Sequence, residues 1–206
     1  ELVVPRTNFA ETAFFYPFLR TDENGIVEIK FTAPESLTRW NIKGLAHTKA
    51  LTSCIIFDTL CTSKPLMAVT NLPRFAYESD TLLFSAKVIN AKAEKQSGTA
   101  ELRVTDGAGR EIAVSAQDFT VDGAGQFLFR FPVAIPNGAG ALTFRFVARS
   151  QEGNTKFSDG EERTIPVLSR RLLVSESAPF FNTKSGSKHI TPTKIKKIPK
   201  YPNINL

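Results

Sequence analysis

Apolar and polar residues alternate along most of this chain, a pattern typical of β-strands that bury one face of a sheet. In residues 26–32, IVEIKFT, the apolar side chains of Val27, Ile29 and Phe31 are separated by polar ones. The same alternation recurs at 81–90, 99–106, 111–121, 126–135 and 141–150. Shorter strands are predicted at 163–169 and 170–177, and a further one at 39–48, RWNIKGLAHT.

Glycine-rich turns separate these strands. The connections DGAGR, DGAGQ and PNGAGA, at 106–110, 122–126 and 136–141, have the composition of antiparallel hairpins. DGEER, at 159–163, is predicted to be a solvated turn. No window shows a sustained 3.6-residue period, so we expect few and short helices. The sequence therefore predicts an all-β, immunoglobulin-like antiparallel sandwich.

The strands divide the chain into unequal parts. Residues 66–181 supply about seven strands, enough for two packed sheets, whereas residues 1–60 supply three or four. We predict that 1–63 is the C-terminal part of a β domain, that 64–181 is a sandwich domain, and that 182–206 is a basic, disordered or non-native tail. Exposed strand edges on the incomplete first part make self-association an expectation.

Composition supports a folded core. Hydrophobic residues make up 42% of the 206, with 17 Phe against one Trp. We expect five of these Phe residues to belong to the core, namely Phe127, Phe129, Phe131, Phe144 and Phe146. No run of about 18 apolar residues is present, so no membrane-spanning helix is predicted. The chain begins without Met or a signal-like segment, and we expect a fragment or processed chain whose export signal lies outside it.

The formal charge of +6 is confined to one end. Residues 182–206 hold six Lys and no acid. Subtracting these six from the 26 Lys and Arg leaves 20 basic residues against 20 acidic ones. The body of the chain is therefore neutral, which argues against a nucleic-acid partner. Binding of nucleic acid or an anionic surface through the tail stays an alternative.

Residues with catalytic or ligating potential are sparse. His47 lies at the end of a predicted strand and is interpreted as a polar residue leaving the sheet, while His189 lies in the tail. The Gly-rich segments lack the GxxxxGK[ST] pattern and precede strands, so they are not phosphate loops. Neither an enzyme nor a cofactor is predicted. A weak calcium site is the alternative for a set of four acids, Glu152, Asp159, Glu161 and Glu162.

Cys54 and Cys61 are the two cysteines of the chain. No other Cys or His lies at metal-ligand spacing from them. Two interpretations stay open: a disulfide that closes this short loop in an exported protein, or two small thiols that are buried or half-buried.

Residues 8–48 resemble a segment of bacterial alpha-2-macroglobulin family proteins. That segment reads as an aromatic-rich strand, T-D-x-N-G, a strand, P-[DE]-S-[LI]-T-x-W and a further strand. The matching residues here are Asn24, Gly25, Pro34, Ser36, Thr38 and Trp40. KPLMAVTNLPRFAYESDTLLFSAKVIN, at 64–90, resembles the start of the next macroglobulin-like domain, and RRLLVSESAPFF, at 170–181, the strand that leaves it.

The resemblance implies a framework part of a larger protease-trapping protein that works outside the cytoplasm, in the periplasm or cell envelope. Its partners would be proteases, reached through the parent protein, and neighbouring macroglobulin-like domains. The family's thioester motif, a Cys two residues before Glu-Gln, does not follow Cys54 or Cys61, so neither is the acyl donor. TAPESLTRW is then a structural corner, in which Ser36 and Thr38 hydroxyls satisfy the turn and the Trp40 ring lies between sheets.

A free-standing extracellular sandwich that binds a carbohydrate or a surface protein is the alternative function. An exposed aromatic patch on residues 126–146 would favour it.

Overall fold

The computed structural model describes residues 3–152 and 155–170. The regular secondary-structure elements of these residues are all β-strands. The strands are β1 (Arg39–His47), β2 (Ser53–Cys61), β3 (Leu66–Asn71), β4 (Ala76–Tyr77), β5 (Thr81–Asn90), β6 (Gln96–Asp106), β7 (Glu111–Val121), β8 (Gln126–Ala134), β9 (Ala141–Glu152) and β10 (Thr155–Leu168). These described residues belong to one compact unit, Glu1–Arg170. The predicted strand at 170–177 and the tail from 182 lie outside them.

Strands β3 to β10 form two packed sheets. The larger has the order β4-β10-β9-β6-β7 and the smaller the order β3-β5-β8. All neighbours are antiparallel except β4 and β10, which pair in parallel. The predicted all-β sandwich is confirmed.

Phenylalanine fills the space between the sheets. Phe84, Phe129, Phe144 and Phe146 are fully buried. The Phe84 ring centroid lies 6.0 Å from that of Phe129 and 5.8 Å from that of Phe144. Phe127 and Phe131 are half-buried and pack against this cluster. The predicted Phe core is confirmed, and the exposed aromatic patch that would favour a ligand-binding module is not formed by these side chains.

Of the three predicted hairpin turns, the one at 106–110 joins two paired strands, β6 and β7, whereas the segments 122–126 and 136–141 cross between the two sheets. In the turn between β6 and β7, Asp106 Oδ1 accepts the N–H groups of Ala108 and Arg110, at 3.0 and 2.9 Å. Gly109 has a φ of +79°, which favours glycine. The bond from the Arg110 N–H is the main cause that lowers the pKa of Asp106.

Two predictions about single segments are wrong. DGEER, at 159–163, is not a turn but the middle of β10. The segment 49–63 was not predicted as a strand, yet it contains β2, which pairs with β1 over nine residues of each strand. These two strands form a separate two-stranded sheet, called here the ribbon. A search of the described residues finds no helix long and apolar enough to cross a membrane.

The strand predicted at 26–32 is also wrong. No strand is assigned between residues 7 and 38, and Val27, Ile29 and Phe31 are 37%, 40% and 36% exposed. The alternation is real, but these residues have no sheet partner in the described part of the chain. A strand is defined by hydrogen bonds to a neighbouring strand, and water can satisfy the backbone of an exposed segment instead, so pattern alone does not make 26–32 a strand.

We predict that Phe84→Ala destabilises the fold by about 3–5 kcal/mol, because it opens a cavity between the two sheets. Urea unfolding followed by far-UV circular dichroism measures the change. Phe18→Ala is the matched control, since Phe18 is 94% exposed. Equal effects of the two substitutions would contradict the assignment of the core.

Candidate functional site: a buried arginine–carboxylate joint

The N-terminal segment enters the sandwich at Arg6. The Arg6 N–H donates to the carbonyl of Gly160 at 2.8 Å, and the Glu162 N–H donates to the carbonyl of Arg6 at 3.0 Å. These bonds form a parallel bridge between Arg6 and Glu161. Arg6 therefore lies beside β10, on the edge that β4 covers further along the strand.

The Arg6 side chain is buried against two carboxylates of β10. Its Nε and Nη2 atoms lie 3.0 and 2.8 Å from the Oδ1 and Oδ2 atoms of Asp159, a bidentate pair. Nη2 also lies 3.2 Å from Glu161 Oε1 and donates to the Ala68 carbonyl at 2.7 Å. The side chains of Arg6, Asp159 and Glu161 are 6%, 0% and 4% exposed.

The remaining carboxylate positions bind donors from β3 and from the linker before it. Lys64 Nζ donates to Asp159 Oδ1 at 2.7 Å, and the Ala68 N–H donates to Asp159 Oδ2 at 2.9 Å. The N–H and hydroxyl of Thr70 donate to Glu161 Oε2 at 2.9 and 2.6 Å. We call Arg6, Lys64, Asp159 and Glu161 the joint cluster. It fastens the N-terminal segment, the linker and one strand of each sheet to one another.

Glu35 extends the joint to the PESLT corner. Its Oε2 accepts the N–H groups of Thr7 and Asn8 at 2.7 and 2.8 Å, and its own N–H donates to the Asn8 carbonyl at 2.8 Å. Arg6 Nη1 donates to the Glu35 carbonyl at 3.0 Å. The bonds from Asn8 and Thr7 lower the pKa of Glu35, and the charges of Arg6 and Lys64 lower it further.

Thr62 holds the other side of this corner. Its hydroxyl donates to the Ser36 carbonyl at 2.7 Å and accepts from Trp40 Nε1 at 3.1 Å and from the Thr38 N–H at 3.2 Å. The hydroxyls of Ser36 and Thr38 therefore do not satisfy the turn as predicted; their backbone groups do, with Thr62. Trp40 is half-buried on the two-stranded ribbon, so the prediction that its ring lies between sheets is also wrong.

The remaining motif residues are Pro34, Asn24 and Gly25, and they have structural positions. Pro34 is buried at the corner. Asp22 Oδ1 accepts the N–H groups of Asn24 and Ile26 at 2.9 and 2.7 Å, and Gly25 has a φ of +78°. Asn24 and Gly25 therefore form a tight turn, away from the joint cluster in sequence. The bond from Ile26 is the main cause that lowers the pKa of Asp22.

The two cysteines are free and exposed, not buried. They lie at opposite ends of β2, so seven residues of extended chain separate them by about 23 Å. A disulfide requires Cα atoms within about 7 Å, so this conformation excludes the short-loop bond.

Two of the acids proposed as calcium ligands have other partners. Asp159 and Glu161 are bound by Arg6, Lys64 and β3, as described above, and no group of three His, Cys, Asp or Glu that could hold a metal ion occurs among the described residues. His47 is exposed at the end of β1, with Nδ1 3.3 Å from the Thr48 carbonyl oxygen. His189 lies outside the described residues.

The sequence interpretation missed the residues that build this site. Arg6, Lys64 and Thr62 show no local pattern that marks them. Asp159 and Glu161 do carry one signal: their spacing of two places both on one face of a strand. That spacing was overlooked because 159–163 was interpreted as a turn.

The geometry defines a class: an antiparallel β-sandwich framework in which a buried joint fastens the preceding chain. Residues 12–102 match the model of the "Alpha-2-macroglobulin family". A curated relative, the alpha-2-macroglobulin homolog of a Nostoc species, is 31% identical over 85 residues, which are 41% of this chain and 4% of the relative.

Two solved structures have a similar fold. The native conformation of E. coli alpha-2-macroglobulin gives a TM-score of 0.50 at 16% identity, covering 72% of this chain and 9% of that one. E. coli alpha-2-macroglobulin activated by porcine elastase gives 0.59 at 15% identity, covering 79% and 15%. The chain thus spans a small part of the length of these relatives. Residues 12–102 are similar to the alpha-2-macroglobulin family, and the resemblance inferred from the sequence is confirmed.

We predict that Arg6→Leu lowers the free energy of unfolding by about 3–5 kcal/mol, because it leaves buried carboxylates without their main cation. Urea unfolding measures the loss. Arg163→Leu is the control, since Arg163 also faces Glu161 but its side chain is 43% exposed. The double variant Arg6→Leu/Asp159→Leu should lose less than the sum of its single variants. Strict additivity would contradict a direct interaction.

A pH dependence follows from Glu35. Its pKa is lower in the folded chain than the ordinary value of 4.5, so its contribution to stability is complete above pH 4.5 and is lost as the pH falls through the folded value. The difference in stability between wild type and Glu35→Gln should therefore shrink on acidification below that pH. Thermal unfolding over a pH series measures it, with Glu23→Gln as the control for loss of one charge. A constant difference would contradict the prediction.

Proposed function

We propose that this chain is a structural framework segment of a bacterial alpha-2-macroglobulin-like protease inhibitor, and that it has no enzymatic activity of its own. Protease trapping would belong to the parent protein. The single observation that carries the proposal is the joint cluster, because it uses the buried charges of β10 to hold the preceding chain in place. The positions of these carboxylates are taken by Arg6, Lys64 and the donors of β3, an arrangement suited to holding chain segments together.

The comparisons support this proposal at the level of the family. The E. coli relative is described as activated by porcine elastase, which concerns that protein. By extension, the partners of the parent protein would be proteases, and those of this segment would be neighbouring macroglobulin-like domains. An extracytoplasmic location, in the periplasm or cell envelope, is part of the same proposal, as is the domain division at residues 63 and 64.

The experiment is an inhibition assay with the chain alone. Porcine elastase is incubated with the chain, and its activity is measured on casein and on a small chromogenic peptide. A framework segment should leave both activities unchanged and form no covalent adduct detectable by mass spectrometry. E. coli alpha-2-macroglobulin is the positive control. Inhibition of casein cleavage by the chain itself would overturn the proposal, since trapping would then reside in this segment.

A further inference from the structure

The ribbon exposes an open strand edge. All nine residues of β2 are exposed, and the two-stranded sheet leaves the edge of β2 that faces away from β1 without a partner strand in the described residues. A two-stranded sheet is marginally stable by itself, whereas three or more strands are stable. An unpaired edge offers a row of N–H and C=O groups to another chain.

Every other outer strand of the described sheets carries a feature that discourages such pairing. Strand β4 has two residues and β3 has six. Strand β8 contains Pro132, and the ladder of β7 with β6 has a register irregularity. Strand β1 carries Arg39 and Lys43, and it ends in His47, so two copies of β1 would repel each other. Strand β2, SCIIFDTLC, has neither Pro nor Lys nor Arg, and Asp58 is its one charge.

The hydrogen-bond pattern shows which groups of β2 point outward. The ladder with β1 continues in bonds from Thr62 N–H to the Thr38 carbonyl and from Thr48 N–H to the Thr52 carbonyl. Hydrogen-bonded pairs alternate along an antiparallel ladder, so the even-numbered residues of β2 bond to β1. The backbone groups of the odd-numbered residues, from Ser53 to Cys61, therefore face the open edge.

We propose that the partner of this edge is a second copy of the chain, joined through antiparallel pairing of β2 with β2 about a two-fold axis at Phe57. This register pairs Phe57 with the partner copy's Phe57, Ile55 with Thr59, and Ser53 with Cys61. It is the register that matches every outward group of one strand with an outward group of the other, which gives about ten hydrogen bonds. The product is a four-stranded sheet of the order β1-β2-β2-β1.

The side chains agree with this register. A two-fold axis perpendicular to the sheet keeps the same face upward in both copies, so the two Phe57 rings meet on one face as a cross-strand aromatic pair. In the dimer, the faces that carry the even-numbered side chains of the two copies form one continuous, largely apolar surface. Its residues are Trp40, Ile42, Gly44, Ala46, Cys54, Ile56 and Leu60, with Asp58 as the one charged member. Cys54 lies opposite Leu60 of the other copy, so the association needs no disulfide.

Asp58 moderates the association. Its Oδ1 accepts the N–H of Thr59 at 2.7 Å, which occupies one of the outward donors. The two Asp58 carboxylates would also lie diagonally across the axis, at about 7–8 Å spacing. A nine-residue edge is about 30 Å long, and it buries less than the roughly 1,200 Å² of a stable interface. The dimer is therefore weak and depends on concentration.

Sedimentation velocity of the whole chain tests the proposal, from about 1 µM to about 1 mM, where weak complexes form, with reductant present throughout. Wild type should shift from monomer to dimer. Ile55→Pro removes an outward N–H without removing a bond to β1, so it should weaken dimerisation by about tenfold or more. Ile55→Thr, which keeps the N–H, is the matched control and should retain the dimer.

Asp58→Ala should strengthen dimerisation, because it frees the Thr59 N–H and removes the charge repulsion. Circular dichroism of each variant checks that the sandwich stays folded. The proposal is overturned if wild type remains monomeric over the whole range, or if Ile55→Pro dimerises as well as Ile55→Thr. It is also overturned if larger oligomers form, because a two-fold pairing closes at two copies.

Discussion

The buried carboxylate of Asp159 is the constraint on which the path of the chain depends. A carboxylate with no exposure to water must be paired and hydrogen-bonded, and removing a partner from such a group costs several kcal/mol. Its four bonds come from Arg6, from Lys64 and from the backbone of Ala68. The N-terminal segment, the linker and the smaller sheet are therefore held in one arrangement by a single side chain of the larger sheet.

Hydrophobic burial and the joint cluster have different roles. The Phe-rich core brings the two sheets together, but contact between apolar surfaces is not directional and tolerates some displacement. The bidentate Arg6–Asp159 pair is directional, so it fixes where the preceding chain meets β10. Thr62 then fixes the corner at the base of the ribbon through its bonds to Ser36 and Trp40. Together these contacts explain why PESLT forms a corner.

The sequence predicted the sandwich well and the joint poorly. From β5 to β9 the alternation was sufficient, because each strand pairs with a neighbour in its own sheet and packs its apolar face against the other sheet. The same alternation at 26–32 gave a wrong strand, since whether a strand forms depends on a partner that the pattern does not reveal. The pairing in the joint could not be predicted, because Arg6 and Asp159 are 153 residues apart and no local pattern marks Arg6. Acidic residues in the middle of a strand were interpreted as a turn, since burial of charge is exceptional.

The chain thus contains two β-structures that differ in how completely their strands are paired and packed. The sandwich satisfies its own strands, and its outer edges are short, irregular or interrupted by proline. The ribbon does not, since β2 is exposed along its whole length and its apolar face has no second layer in the described residues. Cys61 ends β2, and the next residue, Thr62, is already part of the corner. The open edge of β2 therefore ends one residue before the contacts that orient the ribbon, so the least satisfied strand of the described chain adjoins its most fully bonded corner.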